Sequence, residues 1–137
     1  MGHTLVLIAC TKSKAAMPVP ARDLYWPSRL FRACYQRAES DGHRIAILSA
    51  LHGILLPEQV IAPYNMTIKD MNPGERAVWA DKVGAQFDQL VDRAAITEVV
   101  FLAGSDYRQH VVPVLQKRGV TCRVHPEWTA ICAQVFG

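Results

Sequence analysis

The chain has 137 residues, of which 50% are hydrophobic and 20% charged, and its formal net charge is +3. This length and composition suit a single α/β domain over residues 1–137 and argue against a disordered chain. No apolar run approaches the roughly 20 residues that a membrane span needs, and we see no export signal at the N-terminus. The small positive charge permits a phosphate-bearing partner without requiring one.

Three runs rich in Val, Ile and Leu predict β-strands at residues 4–10, 44–50 and 98–104, and a weaker run lies at 121–125. None of them alternates cleanly with polar residues. This pattern is typical of strands in a parallel sheet whose two faces are both covered.

Helical spacing of apolar residues predicts helices at 27–42, 72–95 and 105–119, and a short helix near 126–136. Asn72 and Pro73 form a good cap and first-turn pair for the second helix. The apolar stripe predicted for that helix contains Val78, Trp79, Val83, Phe87, Leu90 and Val91.

Residues 51–71 contain too much proline and too mixed a polarity for regular structure, and we predict a long functional loop there. Strands and helices alternate along the rest of the chain. The sequence therefore predicts a three-layer α/β sandwich, with a mainly parallel central sheet of about four strands flanked by helices.

The four cysteines, Cys10, Cys34, Cys122 and Cys132, include no C-x-x-C pair. We interpret them as reduced, mostly buried thiols of a cytoplasmic protein, without a disulfide frame or a zinc site. The chain also lacks G-x-G-x-x-G and Walker motifs, so no metal or cofactor is expected.

Polar side chains follow each of the three main predicted strands. They are Thr11, Lys12, Ser13 and Lys14 after the first, Ser49, His52 and Gly53 after the second, and Gly104, Tyr107 and Arg108 after the third. Ligands of open α/β sheets bind beyond the carboxyl ends of the strands. We therefore expect these three groups to meet at one edge of the sheet.

Each group has two interpretations. Lys12 and Lys14 are either solvated lysines or, with Ser13 and backbone N–H groups, a phosphate site. Cys10 is either a small core residue or a thiol activated by the lysines. His52 is either part of a turn, with Gly53 at positive φ, or an acid or base.

Residues 104–108 have two interpretations as well. Ser105 or Asp106 is simply an N-cap, or Gly104 allows close approach to a ligand that Tyr107 stacks on and Arg108 pairs with. Tyr64 and Asn65, in the predicted loop, either contact a nucleobase or anchor the loop. Ser49 lies three residues before His52, which alone does not establish a Ser-His nucleophile pair.

Five ordered motifs, "CTKSK", "DLY.PS.LF", "ILSALHGIL", "PYN.T" and "AG.DYR", together resemble a family of small uncharacterised bacterial and phage domains. That family is similar to the YaaA peroxide-stress proteins and to the Cys-Ser-x-x-Lys domain of archaeosine-type tRNA-modifying enzymes. The first motif, "CTKSK", is matched to the motifs of these families by Cys10, Thr11, Ser13 and Lys14. Here Ala15-Ala16-Met17-Pro18 follows Lys14, whereas the archaeosine-type domain continues with Pro-Tyr-Ser.

The resemblance implies either base modification around 7-deazaguanine or DNA protection under oxidative stress. Together with the strand-end residues, it favours an enzyme that processes a nucleobase, nucleoside or nucleotide, free or within DNA or RNA. Lys14, His52 and Ser49 are the candidate catalytic residues. The alternative is a binding module for nucleic acid or a nucleotide, without chemistry. The sequence does not determine the oligomeric state.

Overall fold

The computed structural model describes residues 3–12 and 14–137. Its strands are β1 (His3–Ala9), β2 (Val19–Pro20), β3 (Arg44–Ser49), β4 (Gly53–Leu55), β5 (Val60–Ile61), β6 (Ile96–Leu102) and β7 (Thr121–Val124). Its α-helices are α1 (Ala21–Leu24), α2 (Arg29–Ser40), α3 (Pro73–Asp88), α4 (Ser105–Gln116) and α5 (Trp128–Phe136). Short 3-10 turns lie at Ile68–Asp70 and Arg93–Ala95.

The described residues form a central sheet with the strand order β4-β3-β1-β6-β7. β1, β3, β6 and β7 run parallel, and β4 pairs antiparallel with β3 at one edge. β1 is the middle strand, and Leu5, Val6, Leu7 and Ile8 are each no more than 1% exposed. The predicted mainly parallel sheet and its three layers are confirmed, with one strand more than expected.

Helices cover both faces of the sheet. Leu5 and Leu7 belong to an apolar cluster with residues of α3 and α4. Val6 and Ile8 belong to a second cluster with residues of α2 and α5. Alternate side chains of one strand thus enter opposite cores, as the two-residue period of a strand dictates.

Side-chain caps begin two of the helices. The Ser28 Oγ accepts a hydrogen bond from the Phe31 N–H at 3.1 Å at the start of α2. Asn72 and Glu75 form a capping box at α3, with Pro73 in its first turn. The predicted cap of α3 is confirmed. α4 differs from expectation, because its N-cap is Gly104 and no side chain caps it.

The prediction for the far end of α3 is wrong. This helix ends at Asp88, and a 3-10 turn leads on to β6. Val78 is 71% exposed and Val91 is 98% exposed, so neither belongs to the buried stripe. Trp79, Val83 and Phe87 do lie in the core.

Residues 51–71 are more regular than predicted. Gly53 has a φ of 76°, as expected from the His-Gly pair, and the chain turns there so that β4 pairs with β3. β5 pairs antiparallel with β2, which the sequence did not predict. Both short strands depend on partners elsewhere in the chain, so local composition does not reveal them.

Candidate functional site

The carboxyl ends of β1, β3 and β6 lie along one edge of the sheet, because these strands run parallel. β1 leads into Cys10 and Thr11, β3 leads into the turn that contains His52, and β6 leads into Gly104 and α4. The predicted groups of polar residues therefore start from the same edge.

A chain of buried hydroxyl groups lies beside the end of β3. The Ser49 Oγ and the Tyr64 hydroxyl are 2.6 Å apart, and the Tyr64 hydroxyl is also hydrogen-bonded to that of Tyr25. The backbone N–H of His52 donates to the Ser49 Oγ at 3.0 Å. Burial raises the pKa of Tyr25 to about 12 and raises that of Tyr64 as well, so both phenols stay protonated.

Two basic side chains flank the Tyr64 ring. The Lys14 Nζ lies 4.6 Å from the ring centroid, within the range of a cation–π contact. The His52 imidazole meets the same ring edge-on, with 5.4 Å between centroids. We call Lys14, Tyr25, Ser49, His52 and Tyr64 the Tyr64 cluster.

The surroundings lower the pKa of both basic groups in the cluster. Burial lowers the pKa of Lys14 from its ordinary value, and the nearby Cys10 partly opposes this shift. Burial and, to a lesser degree, the charge of Lys82 lower the pKa of His52. A lowered pKa makes each group easier to deprotonate, and a neutral amine or imidazole can accept a proton or attack an electrophile.

A second polar pair connects β1 to α4. The Cys10 Sγ lies 3.1 Å from the Tyr107 hydroxyl, whose pKa burial raises. The Tyr107 ring packs edge-on against Trp79, with 5.9 Å between centroids. The Trp79 Nε1 donates to the Ser49 carbonyl at 3.0 Å, so this pair is joined to the Tyr64 cluster through Trp79.

Gln86 of α3 fixes the turn that carries His52. Its Oε1 accepts from the Ile54 N–H at 2.7 Å, and its Nε2 donates to the His52 carbonyl at 2.8 Å. A Cβ on Gly53 would collide with this amide. Gln86 was not predicted as a site residue, because a glutamine on a helix usually faces solvent.

Two other residues of the site had no predicted role. Trp79 was predicted only as a core residue, and Tyr25 appeared only within the motif "DLY.PS.LF". The position of Tyr25 in a motif shared with a family was the one available signal for it.

Several predicted site residues lie elsewhere or have other contacts. Arg108 donates from Nε to the carbonyl of Ala103 at 2.9 Å. Lys12 and Asn65 are exposed, and Ser13 lies outside the described residues. Ser49 is 0% exposed and contacts His52 only through the backbone, so its geometry suits positioning more than nucleophilic attack.

A cavity of about 240 Å³ lies between the ends of β1 and β6 and the helices α2 and α5. Cys10, Thr11, Gly104 and Tyr107 are among the residues that line it. We call it the switch-point cavity, because the chain proceeds from β1 to β3 on one side and reaches β6 on the other.

Within residues 3–12 and 14–137, no group of three or more His, Cys, Asp or Glu side chains is placed to hold a metal ion. No helix in this part of the chain combines the length and the apolar character that crossing a membrane requires. All four cysteines are free thiols.

Two bacterial proteins are similar in sequence to this chain. The uncharacterised protein YfjM of Bacillus subtilis is 33% identical over 111 residues, covering 76% of this chain and 71% of that protein. A UPF0246 protein of Teredinibacter turnerae is 28% identical over 89 residues, or 61% of this chain. The match covers only 35% of the UPF0246 protein's length.

UPF0246 is the family to which YaaA belongs. The match therefore supports the predicted resemblance to uncharacterised proteins of the YaaA kind. The link to the archaeosine-type domain stays a prediction. The fold itself has a counterpart in the crystal structure of AF0587, a protein of unknown function, with a TM-score of 0.52 and 15% identity. That likeness covers 100% of this chain and 46% of the other.

At this level of identity the likeness to AF0587 concerns the fold alone. The sequence carries the family assignment: the model of a family of unknown function, DUF6884, matches residues 5–135, and the chain therefore belongs to the DUF6884 family.

Proposed function

We propose that this protein is a cytoplasmic enzyme that processes a nucleobase, nucleoside or nucleotide, free or within nucleic acid. The observation that carries the proposal is the placement of Lys14 and His52 against one aromatic ring, that of Tyr64. Two bases that deprotonate more easily than usual, at the ligand-binding edge of an α/β sheet, are a typical arrangement for proton transfer.

In this proposal His52 is the general acid or base. Its lowered pKa keeps the imidazole neutral at pH 7, so it accepts a proton from a substrate and returns it to a leaving group. The reaction class is cleavage or exchange of a glycosidic bond, or modification of a base. Both require a proton to be delivered to, or removed from, a ring nitrogen or an attacking group.

Lys14 has a different task. Its Nζ donates to the carbonyl of Lys12 at 3.4 Å and lies over the Tyr64 ring, with no carboxylate partner among the described residues. An ammonium held in this way stabilises negative charge that develops on a substrate. Its neutral form, favoured by burial, is a nucleophile.

The hydroxyl chain of Tyr25, Tyr64 and Ser49 positions both bases. Ser49 holds the backbone N–H of His52, and Tyr64 supplies the surface that both Lys14 and His52 contact. These hydroxyls are paired with one another, so their role is geometric and they need not exchange protons with a substrate.

The test is turnover of a panel of nucleosides and nucleotides by the full chain and by two variants. We expect His52→Ala to lower kcat by roughly 10²–10⁴-fold, the usual contribution of a general acid or base. We expect Lys14→Ala to lower kcat/KM by at least a comparable factor, with Lys117→Ala on the α4 end as the matched control.

Circular dichroism establishes that each variant is folded. If His52→Ala turns over an identified substrate at the wild-type rate, the proposed role of the site is wrong.

One observation favours a second candidate, a nucleotide or nucleic-acid binding module without chemistry. Lys12 and Arg29 are exposed, and neither has an acidic partner among the described residues. Such cations bind phosphates, and binding to a polynucleotide would then weaken steeply with salt. Salt-dependent binding together with no turnover of any nucleoside would select this candidate.

A further inference from the structure

The switch-point cavity is separate from the Tyr64 cluster and has no part in the proposed chemistry. It opens at the carboxyl ends of β1 and β6, the neighbouring strands from which the chain leads to opposite sides of the sheet. Open α/β sheets bind their ligands in the crevice at such a reversal of strand order. The Tyr64 cluster lies on the other side of β1, next to β3, whose last residue is Ser49.

The size of the cavity limits what can enter it. Its volume of about 240 Å³ lies below the ~300–1,000 Å³ of pockets that enclose a drug-sized ligand. It has room for one planar ring system and not for a sugar and phosphate as well. The rest of a larger ligand must therefore lie outside.

The walls of the cavity suit a neutral aromatic ring. Phe31, Trp128 and Phe136 supply aromatic surface from α2 and α5, and Leu30 and Leu102 supply aliphatic surface. Asp106 is the only charged side chain that lines it among the described residues. A carboxylate repels phosphate but accepts hydrogen bonds from ring N–H groups.

Polar atoms are present where the edge of such a ring would lie. Cys10 and Tyr107, joined by their hydrogen bond, both line the cavity, as do Thr11 and Gly104. A Cβ on Gly104 would meet no atom within 4 Å, so open space adjoins the backbone at the start of α4. A few convergent polar groups within an apolar pocket are what fixes the orientation of a bound ligand.

A second depression adjoins the cavity and has the opposite electrostatic character. It has a volume of about 570 Å³, and Thr11, Leu30 and Phe136 line both spaces. Lys12 and Arg29 also line it, and no acidic residue does so among those described. A guanidinium and an ammonium without acidic partners are suited to a phosphate group.

We propose that the two spaces together bind a purine nucleoside 5′-monophosphate, with the purine ring in the switch-point cavity and the phosphate beside Lys12 and Arg29. A purine fills the cavity better than a pyrimidine and buries more apolar surface, which favours the larger ring. This inference rests on the proposed function, since it names the class of compound that the enzyme processes.

Cys10 connects this binding site to the bases of the Tyr64 cluster. It lines the cavity and also lies close enough to Lys14 to influence the charge of the amine. Cys10 therefore lies next to both the ring site and the Lys14 amine, although these two lie on opposite sides of β1.

The test is titration calorimetry of the full chain with guanosine 5′-monophosphate, adenosine 5′-monophosphate, cytidine 5′-monophosphate and ribose 5-phosphate. We expect at least one purine monophosphate to bind tenfold or more tightly than ribose 5-phosphate, which lacks the ring. We expect cytidine 5′-monophosphate to bind with an affinity between the two.

Cys132→Leu tests the position of the purine ring, and Arg29→Gln tests that of the phosphate. Cys132→Leu, on the α5 wall, fills part of the cavity and is expected to weaken purine binding at least tenfold while leaving ribose 5-phosphate unchanged. Ala133→Leu, one residue along α5 and exposed, is the matched control and should bind like the wild type. Arg29→Gln should weaken both ligands.

Gly104→Leu gives a second test of the cavity. The φ of Gly104 is −69°, which a leucine adopts without strain, and its side chain would enter the open space. If Cys132→Leu and Gly104→Leu, shown to be folded, bind purines as the wild type does, the ring does not occupy the cavity and the inference is overturned. Equal affinity for purine monophosphates and ribose 5-phosphate overturns it as well.

The outcomes separate this inference from the proposed function. Purine binding that depends on Cys132, without turnover of any nucleoside compound, supports the inference and removes the enzymatic proposal. If Cys132→Leu turns over a purine substrate with an unchanged KM, the proposed enzymatic function stands and the inference about the cavity is overturned.

Discussion

The Tyr64 cluster and the switch-point cavity lie on either side of β1 and differ in almost every physical respect. In the cluster, hydroxyl groups are paired and a lysine and a histidine contact one ring. In the cavity, open space is enclosed by apolar walls with few polar atoms. One region thus carries the polar groups, whereas the other offers open space, and a reaction at this edge needs both.

The difference also affects what each region tolerates. A hydrogen-bonded cluster loses stability when one member is removed, because its partners stay buried without a substitute. A cavity loses nothing when a side chain grows into it, and gains buried contacts. Substitutions of comparable size are therefore expected to change stability in opposite directions on the two sides of β1.

The largest effect on stability is expected at the turn that carries His52. Gly53→Ala places a Cβ at a φ of 76° and against the Gln86 amide, which must give up two backbone hydrogen bonds. We expect a loss of about 2–4 kcal/mol in the free energy of unfolding from strain and lost hydrogen bonds. Urea denaturation measures it.

Gly42→Ala is the matched control for this substitution. Gly42 has a φ of 72°, and no atom lies within 4 Å of a Cβ built there. It should lose only the conformational part, about 1 kcal/mol. Equal losses at the two glycines would mean that Gln86 does not hold the turn.

A smaller loss is expected when the hydroxyl chain is broken. Tyr64→Phe removes the group that joins Ser49 to Tyr25 and leaves both hydroxyls buried with fewer partners. We expect a loss of about 1–3 kcal/mol in the free energy of unfolding. The hydroxyl of Tyr35 has no hydrogen bond to a described residue. Tyr35→Phe should therefore change the free energy of unfolding by less than about 0.5 kcal/mol.

Urea denaturation of both variants and the wild type measures the two changes in the free energy of unfolding. A Tyr64→Phe protein as stable as the wild type would show that the cluster has no such dependence on its central hydroxyl. The contrast with the cavity would then be lost.

The cavity predicts the opposite sign. Cys132→Leu adds apolar volume to the α5 wall and should raise the free energy of unfolding by about 0.5–2 kcal/mol, as cavity-filling substitutions do. Ala133→Leu, which faces solvent, should stay within about 0.5 kcal/mol of the wild type. A loss of stability in Cys132→Leu, with Ala133→Leu unchanged, would indicate that the space is already closed in solution.

How far the sequence predicts this molecule depends on the range of the interactions involved. Local signals were sufficient for the capping box at Asn72 and for the positive φ of Gly53. Both follow from the chemistry of a few adjacent residues. The parallel strands β1, β3 and β6 were also predictable, because burial on both faces leaves nearly continuous apolar runs. The edge strand β7 is only half-buried, and its run in the sequence is correspondingly weaker.

Interactions between distant segments were not predictable. β4 and β5 are too short to be identified without their partners β3 and β2. The hydroxyl chain joins Tyr25 to Tyr64, 39 residues apart. The convergence of Lys14 and His52 followed from parallel topology, but their contact with one ring did not.

The smallest expected effect concerns the charge beside His52. Lys82 donates to the Leu51 carbonyl at 3.2 Å and contributes, after burial, to the lowered pKa of His52. Lys82→Gln removes that charge, so the pKa of His52 should rise towards its ordinary value of about 6.5. NMR titration of the His52 ring protons measures the shift.

The sign of this shift distinguishes a catalytic base from a structural histidine. If His52 must be neutral to act, activity falls as the pH is lowered through its pKa, and a raised pKa moves this loss to higher pH. Lys82→Gln should therefore move the acidic limb of the kcat profile in the same direction as the NMR titration, while Lys69→Gln, on the 3-10 turn, leaves both unchanged. A limb that stays in place while the His52 titration moves would assign the activity to another base, and Lys14 would be the next residue to examine.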